Sequence, residues 1–124
     1  SPSVRLPLDA PYPAVIATDD GSLGLHGFVT DALRNLPARR TPEAATPTIM
    51  ACGPEAMLKS IAAATRAARM PAQLCIERNM GCGLGTCLSC VVRMRDPAKP
   101  TGWRWALACT DGPVFDRDAL PDYD

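Results

Sequence analysis

Apolar and polar positions along this chain switch between two periods. "AVIA" (14–17) is a short apolar run that closes in the polar turn Thr18-Asp19-Asp20-Gly21, so it predicts a strand followed by a tight turn. In "GFVTDALRNL" the apolar residues Phe28, Val29, Ala32, Leu33 and Leu36 recur at helical spacing and predict an amphipathic helix. Pro37 and "ARRTPEAATP" read as a loop. "TIMACG" (48–53) predicts a buried strand, and Pro54 falls in the first turn of the next helix, where proline is tolerated. That helix, "EAMLKSIAAATRAARM", puts Met57, Ile61, Ala64 and Ala68 on one face and stops at Pro71. "AQLCIE" predicts a third strand. Strands alternating with helices point to an α/β fold with a parallel sheet.

After Glu77 the texture changes. "GCGLGTCLSC" (81–90) is a glycine-rich, cysteine-rich loop. "CVVRMR" and "WRWALACTDG" read as strands around the turn "DPAKPTG", with Trp103, Trp105 and Leu107 at period two. A boundary is expected within 71–79, dividing the chain into residues 1–73 and 74–124. No repeat or low-complexity tract is present.

Composition narrows the function classes. The 124 residues suffice for one small domain or two very small ones. Thirteen basic and thirteen acidic residues cancel, so nothing in the charge balance asks for nucleic acid or an anionic membrane. No apolar run reaches membrane-span length. "SPSVRLPLDAPYP" lacks the basic-then-apolar layout of a signal peptide, which makes a cytoplasmic location the expectation.

The chemistry lies in six cysteines. Cys82, Cys87 and Cys90 follow C-x4-C-x2-C spacing, and Cys109 comes after a gap of eighteen residues. Structural zinc sites pair C-x2–4-C knuckles at both ends, whereas here the far end offers a single cysteine. The x4-then-x2 spacing is that of the plant-type [2Fe–2S] loop. Gly81, Gly83 and Gly85 allow the chain to curl around a cluster and aim backbone N–H groups at sulfur. A [2Fe–2S] cluster is therefore the expectation, and a zinc-stabilised interaction domain the alternative. Cys75, inside a strand pattern, reads as a small buried hydrophobe. Cys52-Gly53-Pro54 closes a strand and opens a helix, a place where parallel α/β sheets bind ligands, although a plain buried cysteine fits the spacing equally.

Other polar residues read as ordinary surface. His26 is expected in an exposed turn, and Trp103 and Trp105 are expected to pack beside the cluster. The acidic end (Asp111, Asp116, Asp118, Asp122, Asp124) and Arg78, Arg93 and Arg95 are expected to face solvent.

Four stretches together resemble a known family. "ATDDGSLGLHGFVTDAL", "ACGPEAML", "ERNMGCGLGTCLSCVV" and "ALACTDGPVFDRDAL" look like the electron-transfer (iron–sulfur flavoprotein) subunit of class B dihydroorotate dehydrogenase, in the ferredoxin–NADP reductase superfamily. The resemblance runs from about Val15 to Leu120. It implies the C-terminal half of a Rossmann-like NAD(P)-binding domain (1–73) followed by a small, mostly β [2Fe–2S] domain (74–124). It implies Cys82, Cys87, Cys90 and Cys109 as cluster ligands. It places Cys52, Gly53 and Pro54 near nicotinamide and flavin, and Asp19, Asp20 and Gly21 on the nucleotide side. Electrons would pass from an FMN-containing dihydroorotate dehydrogenase catalytic subunit, through the cluster, to FAD and NAD in pyrimidine biosynthesis. The NAD(P)-reductase subunit of a hydrogenase or transhydrogenase complex shares the same spacing. The family's flavin-binding barrel and first NAD half have no counterpart in these residues, so the chain is expected to be part of a longer subunit and inactive alone.

Overall fold

The computed structural model describes residues 14–35 and 47–124. The chain divides into two compact units, Ser1–Arg39 and Arg40–Asp124. Leu36 and residues 37–46 of the loop expected at 37–47 lie outside the described residues, as does the opening stretch 1–13.

In the first unit the strand is shorter and later than expected. β1 is Ala17–Thr18, and it pairs in parallel with β2, Leu25–His26, which the sequence pattern had hidden in a turn. The intervening turn follows from its polar residues. Gly21 N–H donates to the Thr18 carbonyl (3.2 Å), and the Asp20 carboxylate accepts from Ser22 N–H (2.9 Å). Gly24 has φ +74°, and a Cβ there would lie 2.3 Å from the Ile16 carbonyl oxygen. Only glycine lets the chain close this tightly. α1 spans Val29–Asn35, and the Asp31 carboxylate accepts from Phe28 N–H (3.0 Å), half of a capping box. None of its residues is buried, and Phe28 and Val29 are exposed.

The second unit starts with the expected strand–helix–strand. β3 (Ile49–Cys52) and β4 (Ala72–Cys75) are parallel, joined through α2 (Glu55–Ala67). Pro54 is the N-cap of α2, one residue earlier than a first-turn proline, and its carbonyl accepts from Leu58 N–H (3.0 Å). The helix ends at Arg69 in the left-handed region (φ 53°), with Arg69 N–H on the Arg66 carbonyl and Met70 N–H on the Thr65 carbonyl. This Schellman pattern satisfies the last carbonyls before Pro71.

The buried face of α2 is Leu58, Ile61, Ala62 and Thr65, rotated from the expected Met57–Ile61–Ala64–Ala68 line. Thr65 can be buried because its hydroxyl donates to the Ile61 carbonyl (2.7 Å) and accepts from Arg117 Nη1 (3.0 Å).

A third strand completes the sheet from far along the chain. β5 (Val91–Arg95) and β6 (Trp103–Leu107) form an antiparallel hairpin, and β7 (Val114–Asp116) then returns to pair antiparallel with β4. The sheet order is β3-β4-β7. One apolar core therefore includes Leu58 of α2, Leu74 of β4, Val92 of β5, Ala106 of β6, Phe115 of β7 and the terminal Leu120 and Tyr123. Each large apolar side chain buried here contributes about 1.5–3 kcal/mol.

Asp111, Asp116, Asp118 and Asp124 are exposed as expected, and Asp122 is half-buried, but the last two also make ion pairs. Asp122 pairs with Arg93, Asp124 with Arg95, and Arg66 reaches Asp124 at 3.1 Å. These pairs draw the last turns onto β5 and α2. Arg78 likewise meets Glu55 at 3.4 Å instead of pointing free into solvent.

Candidate metal centre

The cysteine loop leaves β4 through Ile76–Met80 and re-enters regular structure at Val91. Its shape depends on bare backbone. Gly83 (φ 69°) and Gly85 (φ 83°) are left-handed, and so is Leu88 (φ 56°). A Cβ at Gly85 would press on Thr110 Cγ2 at 3.2 Å, and one at Gly81 would sit 3.3 Å from Cys87 Sγ. The loop thus folds closely enough that side chains at these glycines would crowd its sulfurs or Thr110.

Backbone and hydroxyl donors converge on the thiols. Cys82 Sγ accepts from Leu84 N–H (3.3 Å) and Cys87 N–H (3.5 Å). With the Thr86 hydroxyl as the largest contributor, these donors pull the Cys82 thiol down to about 5. Ser89 Oγ lies 3.1 Å from Cys87 Sγ, accepts from Gly81 N–H (3.2 Å) and donates to the Asn79 carbonyl (3.0 Å). Contact with the Ser89 hydroxyl, then with its N–H, lowers the Cys87 thiol. Thr86 and Ser89 were missed from sequence; the available signal was a hydroxyl residue beside or between the paired cysteines.

Cys109 follows β6 and comes back to the loop. A hydrogen bond with the Cys90 thiol, then burial, pushes its thiol up, while the Gly85 N–H acts in the opposite sense. Cys82 and Cys87 influence each other's titration, and Cys109 feels both Cys90 and Cys82, so the four thiols share one neighbourhood. Among the described residues no three His, Cys, Asp or Glu side chains close on one point as a single metal ion would need. Cys90 is buried, Cys82 and Cys109 are half-buried, and Cys87 is exposed. Four soft thiols with N–H and O–H groups aimed at them suit an iron–sulfur group.

The remaining expected residues lie elsewhere. Asp19, Asp20 and Gly21 form the first unit's turn; the Ser22 hydroxyl and then its N–H hold the Asp20 carboxyl below its ordinary range. Cys52, Gly53 and Pro54 join β3 to α2. Gly53 has φ +152°, and a Cβ there would meet Met57 Cε at 2.3 Å.

Cys75 is half-buried, not buried, because β4 turns Ala72 and Leu74 inward and Gln73 and Cys75 outward. His26 is exposed as expected. Trp103 and Trp105 stack edge to face (5.1 Å), and the Arg93 guanidinium lies over Trp103 (5.5 Å). A groove of about 690 Å³ runs along Cys75–Met80 and Pro113.

Loop and fold define a class before they define a protein. Residues 77–121 match the family described as the iron–sulfur cluster binding domain of dihydroorotate dehydrogenase B. The fold, mixed α/β with small sheets and few helices, is similar to a solved NADH-dependent reduced ferredoxin–NADP oxidoreductase. That match has a TM-score of 0.66 and 29% identity over 86% of this chain and 34% of that one.

Within this class, the chain resembles the electron-transfer subunit of dihydroorotate dehydrogenase B (NAD(+)). It is 40% identical to the Desulforamulus reducens protein, over 82% of this chain and 36% of that protein. It is 42% identical to the subunit from Listeria monocytogenes serotype 4b, over 85% of this chain and 37% of that one. Geobacillus thermodenitrificans has another at 39%, covering 81% and 34%. The chain spans about a third of the length of these curated relatives. Among the described residues no helix is long and apolar enough to cross a membrane.

Proposed function

We propose that Cys82, Cys87, Cys90 and Cys109 hold a [2Fe–2S] cluster, and that this chain is the cluster-bearing part of a dihydroorotate dehydrogenase B electron-transfer subunit. The observation that carries the reading is a C-x4-C-x2-C loop with a fourth, distant cysteine, in which N–H and hydroxyl groups meet the Cys82 and Cys87 sulfurs. The x4-then-x2 spacing is that of a [2Fe–2S] ligand loop, whereas structural zinc sites pair short cysteine knuckles at both ends. When bound, the cluster supplies one-electron transfer, which suits a link between two-electron carriers.

The chain's own residues prepare the site. The Leu84, Cys87, Gly85 and Ser89 N–H groups and the Thr86 hydroxyl face sulfur and stabilise negative charge there. The core beneath Cys90 excludes water from one side of the site, while exposed Cys87, Leu84 and Leu88 leave the other open to a redox partner. In this reading residues 1–73 serve as the C-terminal half of an NAD(P)-binding domain and 74–124 as the cluster domain. Asp19, Asp20 and Gly21 line the nucleotide, and Cys52, Gly53 and Pro54 lie near nicotinamide and flavin. FAD and NAD bind in the longer subunit, and the partner is an FMN-containing catalytic subunit. The setting is cytoplasmic pyrimidine biosynthesis, and the chain alone does not turn over NADH.

The likeness to a ferredoxin–NADP oxidoreductase favours one second reading, a transhydrogenase-type NAD(P)-reductase subunit. Anaerobic purification followed by iron, acid-labile sulfide and zinc analysis tests the centre. Equal iron and sulfide, with a paramagnetic signal after dithionite, are expected. Colourless protein with stoichiometric zinc would overturn the cluster. Co-purification with a dihydroorotate-oxidising flavoenzyme, against a pyridine-nucleotide-dependent partner, separates the two redox readings.

A further inference from the structure

Two cysteines outside the metal centre face each other. Cys52 ends β3, Cys75 ends β4, and the two are direct register partners in a parallel pair. Neighbouring strands run ~4.8 Å apart, and matched positions in a parallel pair send their side chains to the same face. That spacing lies inside the ~4.4–6.8 Å Cα separation that a disulfide spans. Burial, and next the neighbouring Cys52 thiol, raises the Cys75 thiol.

The pair is also reachable. Cys52 is exposed and Cys75 half-buried, and both line a shallow cavity of about 210 Å³ with Met50, Gln73 and Val114. β3 is an edge of its sheet among the described residues, and glycine follows Cys52, so the strand end has room for a small approach. An exposed bridge between neighbouring strands belongs with the labile, reducible disulfides.

We propose that Cys52 and Cys75 form a redox-active dithiol that closes to an intramolecular disulfide on reaction with a low-molecular-weight disulfide. With glutathione disulfide, the exposed Cys52 thiolate attacks one sulfur and expels a first glutathione thiolate. The Cys75 thiolate then attacks Cys52 Sγ in the mixed disulfide and expels the second. Two thiols lose two electrons and two protons; one glutathione disulfide gains them as two glutathione molecules. The bridge fastens the Cys52-Gly53-Pro54 turn to β4. The inference goes beyond the cluster reading and does not depend on it.

The test uses the chain as isolated, incubated anaerobically with glutathione disulfide, trapped with N-ethylmaleimide and digested with trypsin. Mass spectrometry is expected to find peptide 41–59 linked to peptide 70–78, with the link opened by dithiothreitol. Cys75→Ser, or Cys75→Ala should the first misfold, should instead leave glutathione on Cys52. Glutathione on Cys52 of the parent chain with Cys75 alkylated overturns the proposal, as does the absence of reaction at both thiols. Visible absorption followed in parallel reports loss of the metal centre separately, so that failure is not mistaken for this one.

Discussion

Removing the Arg117 side chain should loosen the junction between α2 and β7 far more than removing its charged neighbour. Arg117 is only 6% exposed. Its Nη1 donates to the Met70 carbonyl (2.9 Å) and to Thr65 Oγ1 (3.0 Å), and Nε and Nη2 grip Asp118 (2.9 Å each). Arg117→Met keeps much of the volume but deletes these donors. The half-buried Met70 carbonyl loses its guanidinium partner, at about 1–3 kcal/mol, and the Thr65 contact adds about 1. The Asp118 carboxylate is two-thirds exposed and retains Arg66 nearby (3.8 Å), so losing Arg117 costs it little.

The sum is about 2–4 kcal/mol for Arg117→Met, against at most about 1 for Asp118→Asn. Native-state hydrogen exchange reads this without requiring complete, reversible unfolding. Exchange of the Leu74 and Ile76 amides in β4 and its extension should accelerate roughly 30- to 1,000-fold in Arg117→Met, and less than about tenfold in Asp118→Asn. Equal acceleration in the two variants would refute the claim that buried donors, and not the ion pair, hold this junction.

Three further outcomes are expected. Cys82→Ser should lose the visible chromophore and the reduced-state paramagnetic signal while Cys75→Ser keeps both; equal loss would show the ligand set to be wrong. Gly53→Ala should cost about 1–3 kcal/mol because of its positive φ, read as a lower thermal midpoint, and adding Met57→Ala should restore only the steric part. An unchanged midpoint would remove backbone conformation as the reason for that glycine. Tyr123 is buried, and its hydroxyl finds no hydrogen-bond partner among the described residues. Burial raises its phenol above 10, followed by the Glu55 charge and against Arg78 and Lys59. A raised folded-state value means that stability is full below the unfolded pKa of about 10 and is lost as pH rises through the folded one. Tyr123→Phe should therefore be neutral or stabilising at pH 7 and flatten the alkaline loss; a clear destabilisation at pH 7 would mean the hydroxyl has a partner.

The β3–α2–β4 segment was legible because its apolar period changes from strand to helix and back, with proline at both ends of the helix. The outward face of β4 was legible too: Ala72, Leu74 and Ile76 alternate with Gln73 and Cys75, which places Cys75 outward, yet a cysteine in an apolar run was read as core. The α2 face was ambiguous because Ala62, Ala63 and Ala64 carry no directional signal, and Thr65 is buried only through bonds to residues far off in sequence. β2 and β7 were not legible. Each is two or three residues long, next to glycine or proline, and exists because a distant strand offers it hydrogen bonds. The cysteine spacing announced the four-thiol loop, but not the way Leu107 and Thr110, at the end of β6, close on Gly85. Nor did the charge pattern show that Asp122 and Asp124 anchor the chain end to Arg93 and Arg95.

The β4–β7 pairing has a consequence for anyone moving this redox module between proteins. The assigned division of labour changes at residue 74, but the hydrogen-bond ladder does not. A graft cut there would split β4 between Gln73 and Leu74, leaving Leu74 paired with Phe115 but stripped of β3 and of Leu58 and Ala62 of α2, which share its core. The smallest transplantable piece is the whole unit Arg40–Asp124, helix included. The geometry that aims the cysteine loop thus travels with the β3–α2 turn, and an engineer cannot retune one without holding the other.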